Sequence, residues 1–220
     1  MYLLYVLIIL ASFAALASAF GRARGSILYP LTKPVPLIVI IAALLLSLSQ
    51  HQGKEIFFFL MIAGFVFGLL GDIILIQERR FFFPGLVSFL LGHILYVAAF
   101  STGSDHIQYF AVCAAIPFCI FFFIFSRRMD AKAKKDHFPA VIVYFIVIIL
   151  MCVSAFSFDS TRGAVIPVFG IASLLFCISD ALLAWTLFVK ETPLSHATVL
   201  VTYFAAQIVT GFQVVMMLRG

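Results

Sequence analysis

Eight apolar runs, each of about 18 residues or more, leave little chain for anything else: 2–20, 34–50, 56–77, 84–102, 107–126, 138–157, 164–189 and 195–218. A membrane-spanning helix takes about 20 residues, and each short connection a few more. A chain of 220 residues therefore has room for eight or nine spans and no soluble domain. Composition agrees: 65% of residues are hydrophobic and 10% charged, against about 45–50% and 25% in soluble domains. Phe alone supplies 27 residues. These values exclude a soluble enzyme, a nucleic-acid module and a disordered regulator. The expected fold is all-α: one polytopic transmembrane domain over 1–220, a bundle of eight helices.

The net charge of +5 reads as topology rather than as a nucleic-acid surface, because Lys and Arg gather in cytoplasmic loops. Eleven of the 14 fall in odd-numbered connections: Arg22, Arg24, Lys33, Arg79, Arg80, Arg127, Arg128, Lys132, Lys134, Lys135 and Lys190. Lys54, Arg162 and Arg219 fall on the other side. Both termini are thus expected on the non-cytoplasmic face. The basic stretch 127–136 is expected to be a connection lying on anionic lipid. It also divides the chain into halves of four spans. A weak repeat follows that division: Asp72 recurs as Asp180, and Pro36 and Pro139 each open a span after a basic connection. Ala17-Ser18-Ala19 has the small-residue pattern of a signal-peptidase site, but no Lys or Arg precedes the apolar run, so the first span reads as a retained helix. The short loops suit a bacterial inner membrane. Cys113, Cys119, Cys152 and Cys177 lie inside apolar runs without a CxxC pair; they read as small buried hydrophobes, not disulfides or a zinc site.

Ionisable groups at membrane depth cost roughly 2.5–3.5 kcal/mol each on insertion scales and usually face a cavity or a partner. Asp72, His93 and Asp180 lie well inside the expected spans. Counted from the helix entries, Asp72 and Asp180 are equally deep in the cytoplasmic half. His93, Tyr144, Tyr203 and Gln207 fall in a similar layer if spans three, four, seven and eight adjoin. Tyr203 and Gln207 are four apart and share a helix face. Tyr144 reads as packing. Gly64 and Gly68 form a GxxxG pair with Gly71 beyond, a pattern for close helix approach. Lys33 reads either as an interfacial lysine, its stem in apolar surface, or as a contact for a lipid phosphate. Arg79 and Arg80 are accounted for by the charge bias alone, and Glu78 is expected in solvent.

Neither a GxSxG elbow nor an HExxH motif is present. A zinc hydrolase uses three or more ligands, several of them commonly His. Only His93 is intramembrane, since His51, His106, His137 and His196 lie near span ends. No metal or other cofactor is expected. What remains is two carboxyls in a low-dielectric layer, where one can hold a proton while the other stays ionised. That division serves acid–base hydrolysis through an oxocarbenium-like cation. It also serves a proton-coupled transporter, and two acids can instead be structural glue between helices.

Five segments carry a resemblance that narrows this choice: Thr32-Lys33-Pro34-Val35-Pro36; Gly68-Leu69-Leu70-Gly71-Asp72; the stretch from Phe83 to Tyr96 containing Gly92-His93; Phe176-Cys177-Ile178-Ser179-Asp180; and Thr202-Tyr203-Phe204-Ala205-Ala206-Gln207. In this order, within eight spans, the chain resembles the lysoplasmalogenase (YhhN-like) family of membrane hydrolases from Lys33 onward. The resemblance implies cleavage of the vinyl-ether bond of lysoplasmalogens, giving a fatty aldehyde and a glycerophospho-choline or -ethanolamine. Asp72 and Asp180 would be catalytic. Lys33, His93, Tyr96, Ser179, Tyr203 and Gln207 would bind or orient the substrate. The partners implied are the membrane and its lipid, with no nucleic acid. The substrate is expected to enter laterally between helices and leave its headgroup near Lys33.

Overall fold

The computed structural model describes residues 2–49, 56–104, 109–192 and 194–219, so His51, Lys54 and His106 lie outside the described residues, as do the side chains of Glu78, Arg79 and Lys132. The described residues form helices and no strand: α1 Tyr2–Ala23, α2 Leu28–Thr32, α3 Val35–Leu48, α4 Ile56–Ile74, α5 Glu78–Ser101, α6 Tyr109–Arg128, α7 Ala131–Thr161, α8 Val168–Phe188 and α9 Ser195–Arg219. Helix is the outcome that lipid enforces, because backbone groups there must satisfy one another within the segment. Seven helical segments are long and apolar enough to cross a membrane: Val6–Ala23, Leu28–Leu48, Ile56–Gln77, Arg80–Ser101, His137–Thr161, Val168–Phe188 and Ser195–Arg219. The remaining expected span, 107–126, falls on α6. The chain is an all-α polytopic membrane protein.

The punctuation differs from the sequence reading at four places. The second span begins earlier, at Leu28, as a short helix that turns at Lys33-Pro34 into α3. The fourth begins at Glu78 rather than at Pro84. Pro84 has no N–H to give the Arg80 carbonyl, and its ring crowds that carbonyl; the strain appears as a kink at Phe81 (φ −119°, ψ 27°). The sixth runs on to Thr161, which brings Asp159 inside α7. Finally, 127–136 is not a long connection. α6 ends at Arg128 and α7 starts at Ala131, because Ala-Lys-Ala-Lys-Lys consists of strong helix formers that carry the helix past its apolar part. The turn is held by Lys134 N–H donating to the Asp130 carbonyl at 2.8 Å. Two glycines stop helices. Gly25 (φ 62°) and Gly163 (φ 68°) take left-handed conformations, and Ser26 N–H→Gly21 O (2.8 Å) and Ala164 N–H→Asp159 O (3.0 Å) close the wider loop of a Schellman-type end.

Neighbour relations define a closed ring, α3–α4–α5–α7–α8–α9 and back to α3, with α1 outside against α3 and α9 and α6 outside against α7. The closest pairs are α4 with α5 and α8 with α9. A Cβ on Gly92 of α5 would stand 3.1 Å from the Gly64 carbonyl of α4, so these backbones approach as the small-residue pattern implied. Ser88 Oγ donates to Phe67 O across the same pair at 2.7 Å. One end of the ring is plugged by buried rings: Phe57 stacks on Phe158 at 4.9 Å, with Phe100 and Phe169 packed around them. The site lies toward the other end. Two of the four cysteines depart from the expected burial: Cys113 and Cys119 are exposed on α6, while Cys152 and Cys177 are buried; all four are free thiols.

From the charge bias, the α6–α7 turn is expected on the cytoplasmic side and the α7–α8 connection outside. In a background with the four native cysteines replaced by Ala, Cys at Asp130 is expected to resist a membrane-impermeant thiol reagent in intact cells, whereas Cys at exposed Ala164 is labelled. The reverse pattern inverts the orientation.

Candidate functional site

α4 carries Asp72 to its last turn, where only 1% of the residue is exposed. The Tyr203 hydroxyl of α9 donates to Asp72 Oδ2 at 3.1 Å and accepts from Gln207 Nε2 at 3.0 Å. Tyr96 of α5 donates in turn to Gln207 Oε1 at 3.5 Å. A relay of three side chains therefore fixes the carboxylate. Two of them sit one helical turn apart on the face of α9 that the spacing defines. On the other side, Lys33 Nζ lies 3.9 Å from Asp72 Oδ1 and 5.6 Å from the Tyr29 ring centroid. Lys33 is 4% exposed. It belongs to the interior as counter-charge to Asp72, and the turn before α3 aims it there.

Asp180 of α8 is half-buried and accepts the Tyr144 hydroxyl of α7 at 2.7 Å. The packing reading of Tyr144 is thereby corrected: its oxygen is a hydrogen-bond donor to an acid. Each carboxyl thus has one tyrosine donor from another helix, α9 for Asp72 and α7 for Asp180. Between the two pairs stands His93, buried on α5. Its ring meets Tyr144 at 5.6 Å and Phe176 at 5.5 Å, and its Nδ1 has no hydrogen-bond partner among the described residues. Ser179, next to Asp180, donates to the Val199 carbonyl at 3.0 Å and so pins α8 to α9.

Asp72, Asp180, His93, Tyr203, Lys33 and Ser179 line one small cavity of about 40 Å³. An apolar cavity of about 50 Å³ adjoins it, sharing Leu75, Phe89, Asp180 and Leu183, and is walled by Phe82, Leu86 and Val141. The expected layer exists: spans three, four, seven and eight do meet around it, and span six joins them through Tyr144. Tyr96 and Gln207 act behind Tyr203. Asp159 was missed by the sequence reading because the sixth span was ended too early. Buried at 4%, it accepts the Gly170 N–H at 2.8 Å and satisfies an orphan donor in the first turn of α8. Among the described residues no three His, Cys, Asp or Glu side chains gather to hold a metal.

Fold and site together define a class: a multi-pass helical membrane protein whose bundle encloses a cavity lined by two carboxyls, beside an apolar slot. The chain belongs to the YhhN family, which matches residues 28–212. It is 26% identical over 151 residues to the human protein lysoplasmalogenase TMEM86B, covering 68% of this chain and 60% of that protein. It is 28% identical over 158 residues to the bovine lysoplasmalogenase TMEM86A, covering 69% of this chain and 63% of that protein. The aligned part is thus somewhat under two thirds of these relatives' own lengths. No solved structure matches.

Proposed function

We propose that this protein is a lysoplasmalogenase, a membrane hydrolase that cleaves the vinyl-ether bond of alkenyl lysophospholipids in a bacterial inner membrane. The observation that carries the reading is the pair of carboxyls on one cavity wall, each held by a tyrosine hydroxyl. The names of the relatives point the same way.

A vinyl ether hydrolyses by protonation of the alkene carbon remote from oxygen, which leaves an oxocarbenium ion on the other carbon. Water adds there, and the hemiacetal collapses to aldehyde and glycerol hydroxyl as the proton returns to the ether oxygen. One water is consumed and no redox partner is needed. A carboxylic acid supplies the first proton, and a carboxylate steadies the cation and takes the proton from water. Asp72 and Asp180 share these two roles. Each Asp accepts a tyrosine hydroxyl, and Asp72 also faces the Lys33 ammonium at 3.9 Å, so Asp72 is assigned as the carboxylate and Asp180 as the acid. His93, which lines the cavity and whose Nδ1 has no hydrogen-bond partner among the described residues, positions the water. The apolar slot between α5, α7 and α8 takes the alkenyl chain, entered laterally from lipid.

Purified protein is expected to release aldehyde from a lysoplasmalogen and none from the ester-linked lysolipid of the same chain, and to keep that activity in a strong chelator. Absence of aldehyde from either lipid leaves a transporter or lipid-binding role. Loss on chelation with recovery on adding zinc makes Asp72, His93 and Asp180 ligands instead.

A further inference from the structure

Beyond the acid cavity the ring opens into a vestibule of about 990 Å³. Arg22 and His196 belong to the walls of both spaces and form the sill between them. Phe82, Leu187 and Phe188 are shared with the apolar slot. A molecule reaching the acids from the vestibule therefore passes Arg22 and His196 on one side and aromatic rings on the other.

The charges here are built in. Arg22, in the last turn of α1, lies with its guanidinium carbon 5.1 Å from the Tyr29 ring centroid. Its Nη2 is 3.5 Å from His196 Nδ1, and His196 Nε2 is 3.0 Å from Glu191 Oε1. Across the vestibule Arg80, just ahead of the kink, lies 5.1 Å from the Phe81 ring. Aromatic faces hold a guanidinium in place, and its planar fork matches phosphate oxygens. Glu191 is mostly exposed and lines the same space. Phe82 and Phe188, edge to face at 5.6 Å, stand beside it. Among the described residues, two guanidiniums, one carboxylate and a pair of aromatic rings complement a phosphate joined to an ammonium.

Resting on the hydrolase reading, we propose that this vestibule is the headgroup site and takes a zwitterionic phospho-amino-alcohol. Arg22 and Arg80 hold the phosphodiester, and Glu191 with Phe82 and Phe188 holds the ammonium. The glycerol unit then crosses the sill, which puts the ether bond at the carboxyls. Lys33, engaged with Asp72, is relieved of the headgroup contact expected from sequence. Arg22 lies upstream of the family-matched segment, so α1 supplies the site with a group that the family match does not include.

The test uses the full chain in detergent and a saturated alkyl-ether lysophosphatidylethanolamine, which binds and is not cleaved. Arg22→Gln and Arg80→Gln are each expected to weaken its binding about tenfold, the scale of a lost charged hydrogen bond. Arg22→Lys, which keeps the charge without the fork, recovers part of the loss. Glu191→Gln lowers the preference for this lipid over the anionic alkyl-glycerol phosphate. In turnover, the Arg variants lower the kcat/KM preference for lysoplasmalogen over phosphate-free alkenylglycerol by about tenfold, through KM. Parent-like binding and preference in both Arg variants, with normal size-exclusion profiles, overturns the site. Competition by inorganic phosphate as strong as that by the lipid makes it a free-phosphate site and overturns the headgroup assignment. Arg-dependent lipid binding by a parent that releases no aldehyde sinks the hydrolase reading and leaves the headgroup site standing.

Discussion

Asp72→Asn and Asp180→Asn are each expected to cut aldehyde release by about two orders of magnitude or more, the usual scale for a positioned acid or base. The amide keeps the shape and still accepts a tyrosine hydroxyl, so the hydrogen bonds from Tyr203 and Tyr144 have a partner and the bundle persists. A neutral amide also costs less in lipid than a carboxylate. The double variant is expected to be little worse than the poorer single, because groups that act as a unit are not additive. Measurement is by aldehyde release from variants whose size-exclusion profile matches the parent. A folded variant that keeps more than about a tenth of the activity makes that Asp a structural link between helices. The same variants separate the roles: losing the acid removes the basic limb of the pH–rate profile, and losing the carboxylate removes the acidic limb. The assignment above therefore expects Asp180→Asn to lose the basic limb and Asp72→Asn the acidic one.

The second large effect belongs to Lys33. Its ammonium is the cation placed against Asp72, 3.9 Å away and almost fully buried with it. Removing one member of a buried ion pair leaves the other uncompensated, at a cost of about 3 kcal/mol or more. Lys33→Met, which preserves most of the stem, is expected to lower the unfolding midpoint of the detergent-purified protein by roughly 6 °C or more. Adding Asp72→Asn to Lys33→Met removes the orphaned charge and restores most of the midpoint. If the double variant stays as unstable as the single, the stabilising part of Lys33 is its packing and its cation–π contact with Tyr29, and the charge pairing is incidental.

Much of the site was legible because the membrane makes polar residues conspicuous. Asp72, His93 and Asp180 stand out in apolar runs, and helical rise places them in one layer by counting alone. Tyr203 and Gln207 share a face by their spacing, and the structure joins them at 3.0 Å. The failures have physical causes as well. Tyr144 was taken for packing because depth along a helix says nothing about which neighbour the residue faces. Asp159 was overlooked because apolar content fades before the helix does: once started, a helix adds a hydrogen bond per residue and runs on through polar sequence. The same cause turned the basic stretch after Arg127 into helix ends rather than a surface connection.

By itself, the sequence determined that the chain lives in lipid, that it is helical, where most spans lie, and which few groups must find partners there. These follow from transfer free energies and backbone satisfaction, which are local properties of each segment. The tertiary structure decided the rest: that α3, α4, α5, α7, α8 and α9 close into a ring, that Lys33 turns inward to Asp72, that Tyr144 serves Asp180, and that Arg22 stands at the sill of the cavity. Lipid is as apolar as the helix surfaces themselves, so hydrophobicity does not choose which faces meet. That choice falls to small residues that let backbones approach, as at Gly64 and Gly92, and to polar side chains that find partners only across helices.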